Sequence, residues 1–250
     1  MRYLILVLIF LTCSACQKTE PETYTQTKPA PLSVQPAMLE EEWSVEWWGP
    51  RHAQKLKDKH TQDIDLIFIG DSITHDWEET GSKVWDSFYG HRKAFNLGFA
   101  GDRTENVIWR LQNGAVDGLS PKLVVLMIGT NNTGHRMDSA EDIALGIETI
   151  IDELRSRLPN TQILLLGVFP REQLSDAPMR RLNAEINQQL AQWPTKEKVH
   201  FKNIGAEFLS PNGEISELIM PDLLHLSPAG YRLWAAAIEE DISRLLGETP

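Results

Sequence analysis

Short, continuous apolar runs alternate along this chain with longer stretches in which apolar residues recur every three or four positions. A continuous run of about four to eight apolar residues is typical of a strand buried on both faces of a parallel sheet. Runs of this kind predict five strands, of which the last has the weakest pattern, over 64–69, 93–97, 123–128, 162–168 and 199–203.

The stretches between the runs have the spacing of amphipathic helices. This spacing predicts helices over 105–111, 140–158, 179–193 and 228–246. Ser139 is a candidate N-cap for the second helix, and Pro228 suits the first position of the last. Strands that alternate with helices through short connections predict right-handed crossovers and a three-layer α/β/α sandwich with a central parallel sheet of about five strands. In such sheets, ligands bind beyond the carboxyl ends of the strands.

The first residues have the pattern of a targeting segment. Arg2 is followed by an apolar run over 3–11, which is too short to span a bilayer as a mature helix. Small residues then lead to Cys16, and the whole resembles a bacterial lipoprotein signal. The resemblance implies that residues 1–15 are removed and that Cys16 is acylated, which would anchor the protein to a membrane. An ordinary secretory signal cleaved nearby is the alternative, and both interpretations predict export, the first to the bacterial cell envelope.

A change of composition divides the exported part of the chain. Residues 16–37 are rich in Thr, Pro and Gln and contain almost nothing apolar to bury, which predicts a flexible tether. The remaining residues, 38–250, contain all the predicted strands and helices and no internal repeat. We therefore expect one globular domain over 38–250.

The charge balance narrows the range of partners. Lys and Arg number 24 and Asp and Glu number 35, for a formal net charge of −11, and the chain has no run rich in Lys or Arg. Binding to nucleic acid depends on clustered positive charge. The composition therefore excludes nucleic acid as the expected partner.

Four polar motifs fall at places where the predicted fold would bring them together. Three follow the first three predicted strands: GDSIT at 70–74, NLGFAGD at 96–102 and GTNN at 129–132. The fourth, DLLH at 222–225, precedes the last helix. Each motif alone could be a turn or a helix entry, but four of them in this order, three at the same edge of one sheet, indicate a functional site.

The chemistry of these motifs suits a nucleophilic serine. A hydroxyl is a poor nucleophile at neutral pH unless a base lies within hydrogen-bond reach, and histidine is well suited to that role. Ser72 and His225 are the candidate nucleophile and base. Asp222 lies three residues before His225, so one turn of chain can place its carboxylate against Nδ1 of the ring and leave Nε2 free to face Ser72.

Together the motifs resemble the four signature blocks of the SGNH, or GDSL-type, hydrolases. The resemblance extends over 47–245, and the stretch 96–132 is most similar to the platelet-activating-factor acetylhydrolase branch and to related bacterial acyl and acetyl esterases. It implies a flavodoxin-like sandwich and ester hydrolysis without a metal or another cofactor. It also implies an oxyanion hole formed by the N–H of Ser72, the N–H of Gly98 and the side-chain amide of Asn131. The related acetylhydrolase subunits pair, so a homodimer is possible.

Several neighbouring residues have less specific patterns. Ile73, Thr130 and Leu224 adjoin the proposed catalytic residues, and we expect them to shape a pocket for a short acyl group. Asp71 is expected to cap a helix or brace the loop. His75 and His135 lie near the motifs and could touch substrate, but solvent-facing loop positions are the favoured interpretation. Neither has metal-ligand spacing to another His, Cys or carboxylate cluster, which argues against a metal site.

A cluster of tryptophans precedes the first predicted strand, at Trp43, Trp47 and Trp48. Such a cluster could stack on sugar rings, but packing against the edge of the sheet is the favoured interpretation. The cluster does not decide the function.

The leading functional hypothesis is hydrolysis of short-chain esters, most of all acetyl esters, on a carbohydrate. A phospholipid or lysophospholipid acyl hydrolase is the alternative within the same chemistry. A glycan-binding lipoprotein that has lost catalysis is the alternative from another class, and the presence of both Ser72 and His225 argues against it.

Overall fold

The computed structural model describes residues 29–193 and 196–248. Their centre is a sheet of five parallel strands in the order β2-β1-β3-β4-β5. The strands are β1 (Leu66–Gly70), β2 (Ala94–Gly98), β3 (Leu123–Met127), β4 (Gln162–Leu166) and β5 (Val199–Lys202). All five strand predictions are confirmed, with ends that shift by one or two residues. This order is the flavodoxin-like one, in which the chain reverses its direction of winding between β1 and β3.

Eight α-helices flank the sheet within the described residues. They are α1 (Trp48–Asp58), α2 (Ser72–His75), α3 (Ser82–Phe88), α4 (Thr104–Gln112), α5 (Thr130–Arg136), α6 (Ala140–Arg157), α7 (Pro178–Ala191) and α8 (Pro228–Leu246). The four predicted helices correspond to α4, α6, α7 and α8, and Ser139 caps α6 by accepting a hydrogen bond from Asp142 N at 3.1 Å. The helices α1, α2, α3 and α5 were not predicted. Three of these are seven residues or shorter, too short to display an apolar period.

The two faces of the sheet pack against different helices, which confirms the predicted three-layer sandwich. Side chains alternate along each strand, so that Ile67 and Ile69 point to one face and Leu66 and Phe68 to the other. The first face packs on α4, α6 and α7, and the second on α3 and α8. Both layers exclude solvent almost completely, which fixes the carboxyl ends of the strands as a rigid platform.

The predicted fourth strand is too long at its carboxyl end. β4 ends at Leu166, whereas the apolar run continues to Val168. The side chain of Asn187, on α7, accepts from Val168 N at 2.7 Å and donates to Val168 O at 2.8 Å. Because an amide side chain replaces the neighbouring strand as the partner of Val168, the ladder stops and the chain is free to turn toward the site.

Part of the predicted tether packs on the domain. Residues Leu32–Val34 form a 3-10 turn against α4 and α6, and Ser33 is almost fully buried. The carbonyl of Ser33 accepts from Thr104 Oγ1 at 2.8 Å, and Ala37 N donates to Glu105 O at 3.3 Å. The boundary predicted at residue 38 is therefore too late, because polar backbone groups and not apolar side chains attach this segment.

The predicted signal peptide and Cys16 lie outside the described residues. Within the described part of the chain, no helix combines the length and the apolar character that crossing a membrane requires.

Candidate active site

Ser72 is placed at the carboxyl end of β1 by a tight connection into α2. Gly70 ends the strand, and a Cβ there would collide with Thr74 and with the carbonyl of Met127 on β3. Asp71 caps the helix as expected, since its Oδ1 accepts from Ile73 N at 3.0 Å. Ser72 thus becomes the first residue of α2, where its own N–H has no acceptor within the helix. Both the hydroxyl and the amide are available at the edge of the sheet.

Asp222 and His225 lie in the segment that leads into α8, and the His225 ring contacts Ser72. His225 Nε2 is 2.9 Å from Ser72 Oγ, and His225 Nδ1 is 2.6 Å from Asp222 Oδ2. The other oxygen of Asp222 accepts from His225 N at 2.7 Å and from Leu224 N at 3.1 Å. The structure therefore brings the three predicted residues together in one chain of hydrogen bonds.

The carboxylate of Asp222 is held in its charged form. Partial burial alone would raise the pKa of Asp222, but the hydrogen bonds from the His225 ring and from the N–H groups of His225 and Leu224 hold this pKa below its ordinary value. An ionised Asp222 favours a proton on His225 Nδ1, which leaves Nε2 as the hydrogen-bond acceptor toward Ser72.

Asn131 reaches the site as the second residue of α5, just after β3. Its side chain is 6% exposed, and Nδ2 donates to Asp102 O at 3.0 Å. The adjacent Asn132 joins α5 to α4, because its Oδ1 accepts from Thr104 N at 3.0 Å. The two asparagines therefore connect the segment after β3 to the segment after β2.

The structure corrects the prediction for Gly98. Its N–H already donates to Asn96 Oδ1 at 2.7 Å, and a Cβ at this position would collide with the backbone of Thr74 and His75. Gly98 is needed for the close contact between β2 and α2, and its amide is not free for a substrate. Sequence spacing does not reveal this, because it cannot tell which amide the Asn96 side chain occupies.

Gly101, in the same motif, has the free backbone amide that an oxyanion donor requires and that Gly98 lacks. Its φ of 77° lies in the region that favours glycine, and its N–H has no acceptor among the described residues. The flanking amides are both occupied, since Ala100 N donates to His75 Nδ1 at 3.2 Å and Asp102 N to Phe99 O at 3.1 Å. The second glycine of NLGFAGD was the signal in the sequence that could have identified it.

A buried ion pair fixes the conformation of this loop. Asp102 is fully buried and pairs with Arg110 of α4 at 2.7 Å. Trp48 Nε1 donates to the other carboxylate oxygen of Asp102 at 2.6 Å, and the Arg110 guanidinium stacks 4.0 Å from the centroid of the Phe99 ring. The ion pair with Arg110 thus attaches the loop that carries Gly101 to α4, and the hydrogen bond from Trp48 attaches it to α1.

The structure places the three predicted pocket residues in different surroundings. Leu224 borders a cavity of about 320 Å³, together with Arg171 and Asp222. Ile73 and Thr130 are each 1% exposed and do not line that cavity. Ile73 packs into the core on the α8 side of the sheet, a position that its place after Ser72 could not reveal.

Arg171 is a residue of the site that the sequence did not identify. It follows β4, and its Nη1 donates to Thr130 O at 2.8 Å and to Thr130 Oγ1 at 3.2 Å. It also lines the cavity beside Asp222. Its position after the fourth strand, at the edge where the other motifs lie, was the available signal.

The two histidines differ in their environments. His75 is half-buried, contrary to the expectation, and burial, assisted by the charge of Arg51, lowers its pKa to about 4. A neutral His75 can accept the hydrogen bond from Ala100 N. His135 is exposed as expected, although it lies at the end of α5 and not on a loop.

A parallel α/β/α sandwich with a serine, a histidine and an aspartate aligned at the carboxyl edge of its sheet defines a class of hydrolases. Residues 68–233 match the model of the GDSL-like lipase/acylhydrolase family. The chain belongs to this family and is a carboxylic ester hydrolase.

Relatives and solved structures agree with this membership. Over 204 residues the chain is 35% identical to platelet-activating factor acetylhydrolase IB subunit alpha2 of Rattus norvegicus, a match that covers 81% of this chain and 86% of that protein. The human subunit is 34% identical over the same length and coverage.

Two bacterial structures share the fold. A GDSL-like lipase from Bacteroides thetaiotaomicron superposes with a TM-score of 0.61 at 21% identity, covering 78% of this chain and 97% of the other. A catalytic mutant of an acetylxylan esterase from Geobacillus stearothermophilus superposes with a TM-score of 0.56 at 20% identity, covering 74% and 94%.

Proposed function

We propose that this protein is a serine esterase that removes short acyl groups, above all acetyl groups, from carbohydrate. Ser72 is the nucleophile, His225 the general base and Asp222 the residue that orients the base. The observation that carries this proposal is the 2.9 Å contact between Ser72 Oγ and His225 Nε2, continued to Asp222 by the 2.6 Å contact at Nδ1.

The proposed reaction has two halves. Ser72 Oγ attacks the ester carbonyl as its proton passes to His225 Nε2, and the alcohol leaves when His225 returns that proton to it. Water then attacks the acyl-serine with His225 again acting as base, which releases the carboxylic acid and restores Ser72. Asp222 stabilises the imidazolium that forms in each half.

The negative oxygen of the tetrahedral intermediate needs hydrogen-bond donors. We assign this role to the N–H of Ser72, the N–H of Gly101 and Nδ2 of Asn131, with Gly101 in place of Gly98. In support, the amides of Ser72 and Gly101 have no acceptors within the described residues, and Asn131 Nδ2 has a second hydrogen beyond the one donated to Asp102 O. Loss of one such donor typically costs about 3–4 kcal/mol of transition-state stabilisation.

The names of the relatives support an acetyl ester. The mammalian relatives are named acetylhydrolases and one of the solved structures is an acetylxylan esterase, so the acetyl group is common to both names.

The proposed location supports a carbohydrate as the alcohol. With residues 1–15 removed and Cys16 acylated, the enzyme is anchored in the bacterial envelope, where it meets polysaccharide. Replacement of Cys16 by Ser should release the protein from the membrane fraction; a variant that still sediments with membranes contradicts the anchor but leaves the esterase proposal intact.

The test compares substrates and variants side by side. We expect acetylated xylo-oligosaccharides and 4-nitrophenyl acetate to be cleaved faster than esters of eight or more carbons. Ser72→Ala and His225→Ala should each lose nearly all of this activity. A preference for the long acyl esters, or for acetylated glycerophospholipids, would favour the phospholipid hydrolase instead. Equal activity of both variants and wild type would remove the serine mechanism.

A further inference from the structure

Two tryptophans on the N-terminal segment remain open to solvent beside the site. Trp43 is 53% exposed and Trp47 is half-buried, whereas Trp48 is fully buried. The predicted packing role therefore holds fully for Trp48 and partly for Trp47, which packs against the cluster of Leu39, Trp48 and Phe99. Because Trp48 is fixed by its 2.6 Å hydrogen bond to Asp102, the segment that carries the other two rings is held on the domain.

The rings of Trp43 and Trp47 contact segments that carry or adjoin the site residues. The Trp43 ring covers Gly101, where a Cβ would collide with it, and meets His135 edge-on at a centroid distance of 6.4 Å. The Trp47 ring lies 5.9 Å from the ring of His75, and His75 follows Ser72 by three residues in the chain. These contacts place an aromatic surface along the segments that follow β1, β2 and β3.

The two rings are neighbours. The centroids of Trp43 and Trp47 are 6.4 Å apart and their planes differ by 32°. Trp47 Nε1 donates to the backbone carbonyl of Trp43 at 3.1 Å, which orients the Trp47 ring on this segment. We call this pair of rings the aromatic shelf.

Two arginines near the aromatic shelf already have partners. Arg103 pairs with Glu41 at 3.2 Å, and Arg51 pairs with Glu78 at 2.9 Å. An anionic ligand would have to break one of these pairs to reach an arginine, whereas a neutral ligand can use the ring faces without doing so. These pairs therefore favour a neutral, partly apolar partner over an anionic one.

We propose that the aromatic shelf binds a pyranose ring of the substrate and so directs acetylated glycans to Ser72. This inference rests on the proposed esterase function and adds the residues that would select its substrate class. The C–H face of a pyranose is flat and apolar enough to pack on an aromatic face, and its hydroxyl groups can remain in water. A quaternary ammonium would favour several steep walls around it, which two rings inclined by 32° do not provide.

The experiment measures selectivity between two acetyl esters, one with a sugar ring and one without. The full chain and its variants are assayed with acetylated xylo-oligosaccharide and with glyceryl triacetate. The quantity compared is the kcat/KM value for the oligosaccharide divided by the kcat/KM value for glyceryl triacetate. Trp43→Ala should lower this ratio about tenfold, mainly through KM for the oligosaccharide. Trp43→Phe, which keeps an aromatic face, should restore most of the ratio.

A control variant removes a tryptophan at the other end of the molecule. Trp193 lies between α7 and β5, at the amino edge of the sheet, and Trp193→Ala should leave the ratio unchanged. Quenching of intrinsic fluorescence by deacetylated xylo-oligosaccharide should weaken in Trp43→Ala but not in Trp193→Ala, which reads binding without catalysis.

Two outcomes would overturn the inference. The ratio could stay unchanged in Trp43→Ala, whether both esters keep their activity or lose it equally, or an acetylated glycerophosphocholine could depend on Trp43 more than the oligosaccharide does. Covalent labelling of Ser72 by a fluorophosphonate separates these results from failure of the esterase itself. Labelling that persists in Trp43→Ala with an unchanged ratio rejects the aromatic shelf alone.

Discussion

The site is built from two arms that meet at one edge of the sheet and that differ in their access to solvent. The serine–histidine arm (Ser72, Asp222 and His225) is open, with side-chain exposures of 56% for Asp222 and 36% for His225. The amide arm (Gly101, Asp102 and Asn131) is enclosed, with Asp102 fully buried and Asn131 6% exposed. In the proposed mechanism, the open arm carries the proton transfers and the enclosed arm holds donors at fixed positions.

This difference separates activity from stability. A hydrogen bond at an exposed position contributes little to the free energy of unfolding, but a reaction can depend on it completely. A buried ion pair that loses one member leaves an uncompensated charge in the core, which destabilises the whole domain. Substitutions in the two arms should therefore produce different patterns of loss.

The largest effect is expected from Asp222→Asn in the open arm. The variant should lower kcat by about 10³- to 10⁴-fold, because an amide can no longer hold the proton of His225 on Nδ1 or stabilise the imidazolium. Its free energy of unfolding should change by less than about 1 kcal/mol. Asp63→Asn, at another exposed carboxylate, is the control and should alter neither quantity. An active Asp222→Asn enzyme would contradict the role of this arm.

The next effect tests the enclosed arm through Asp102→Asn. This variant leaves the Arg110 charge buried and should lower the free energy of unfolding by about 3–5 kcal/mol, measured by chemical denaturation. Asp117→Asn, which breaks the exposed pair with Arg157, is the matched control and should cost less than about 1 kcal/mol. Similar losses in the free energy of unfolding of the two variants would show that the burial of Asp102 does not make its ion pair more important for stability.

Asn131→Ala tests whether a residue of the enclosed arm can affect activity directly, because Asn131 is buried and is also proposed to act on the substrate. We expect kcat to fall by about 10²- to 10³-fold through the loss of one oxyanion donor, with KM changing much less. If the loss appeared only in KM, Asn131 would bind the ground state and the proposed donor role would be wrong.

Asp71 lies between the two arms and gives a pH-dependent prediction. Complete burial raises the pKa of Asp71 to about 7, and its Oδ2 has no partner within the described residues. The folded state therefore retains a proton that the unfolded state has lost, so this residue's contribution to stability is full below about pH 4 and is lost as the pH rises to 7.

The variant Asp71→Asn should remove that dependence and keep the cap to Ile73 N. Between pH 5 and pH 8, the free energy of unfolding of wild type should fall relative to the variant by about 3 kcal/mol. Denaturation curves of both proteins at the two pH values measure this difference. Parallel pH profiles would mean that Asp71 titrates normally in the folded protein.

The sequence predicted the open arm better than the enclosed one. The spacing of Asp222 and His225 within one turn, and the position of Ser72 after a buried strand, are local properties that a sequence displays directly. The order of strands in the sheet then brings these segments together, as the apolar runs and short connections predict.

The enclosed arm was predicted less well because its contacts are made between distant side chains and backbone groups. Gly98 was assigned to the oxyanion hole by resemblance, and nothing in the spacing indicates that Asn96 occupies its amide. Ile73 was placed in the pocket because of its neighbour Ser72, yet it packs into the core. Sequence patterns identify strands and motifs, but they do not reveal which polar group satisfies which amide.

The serine mechanism can be tested at its centre by mapping the site of covalent modification by a fluorophosphonate probe. The labelled full chain is digested and analysed by mass spectrometry, alongside His225→Ala. We expect one modified residue, Ser72, in wild type and a strong loss of its labelling in His225→Ala. Modification of a different serine, or undiminished labelling of Ser72 without the histidine, would refute the proposed roles of Ser72 and His225.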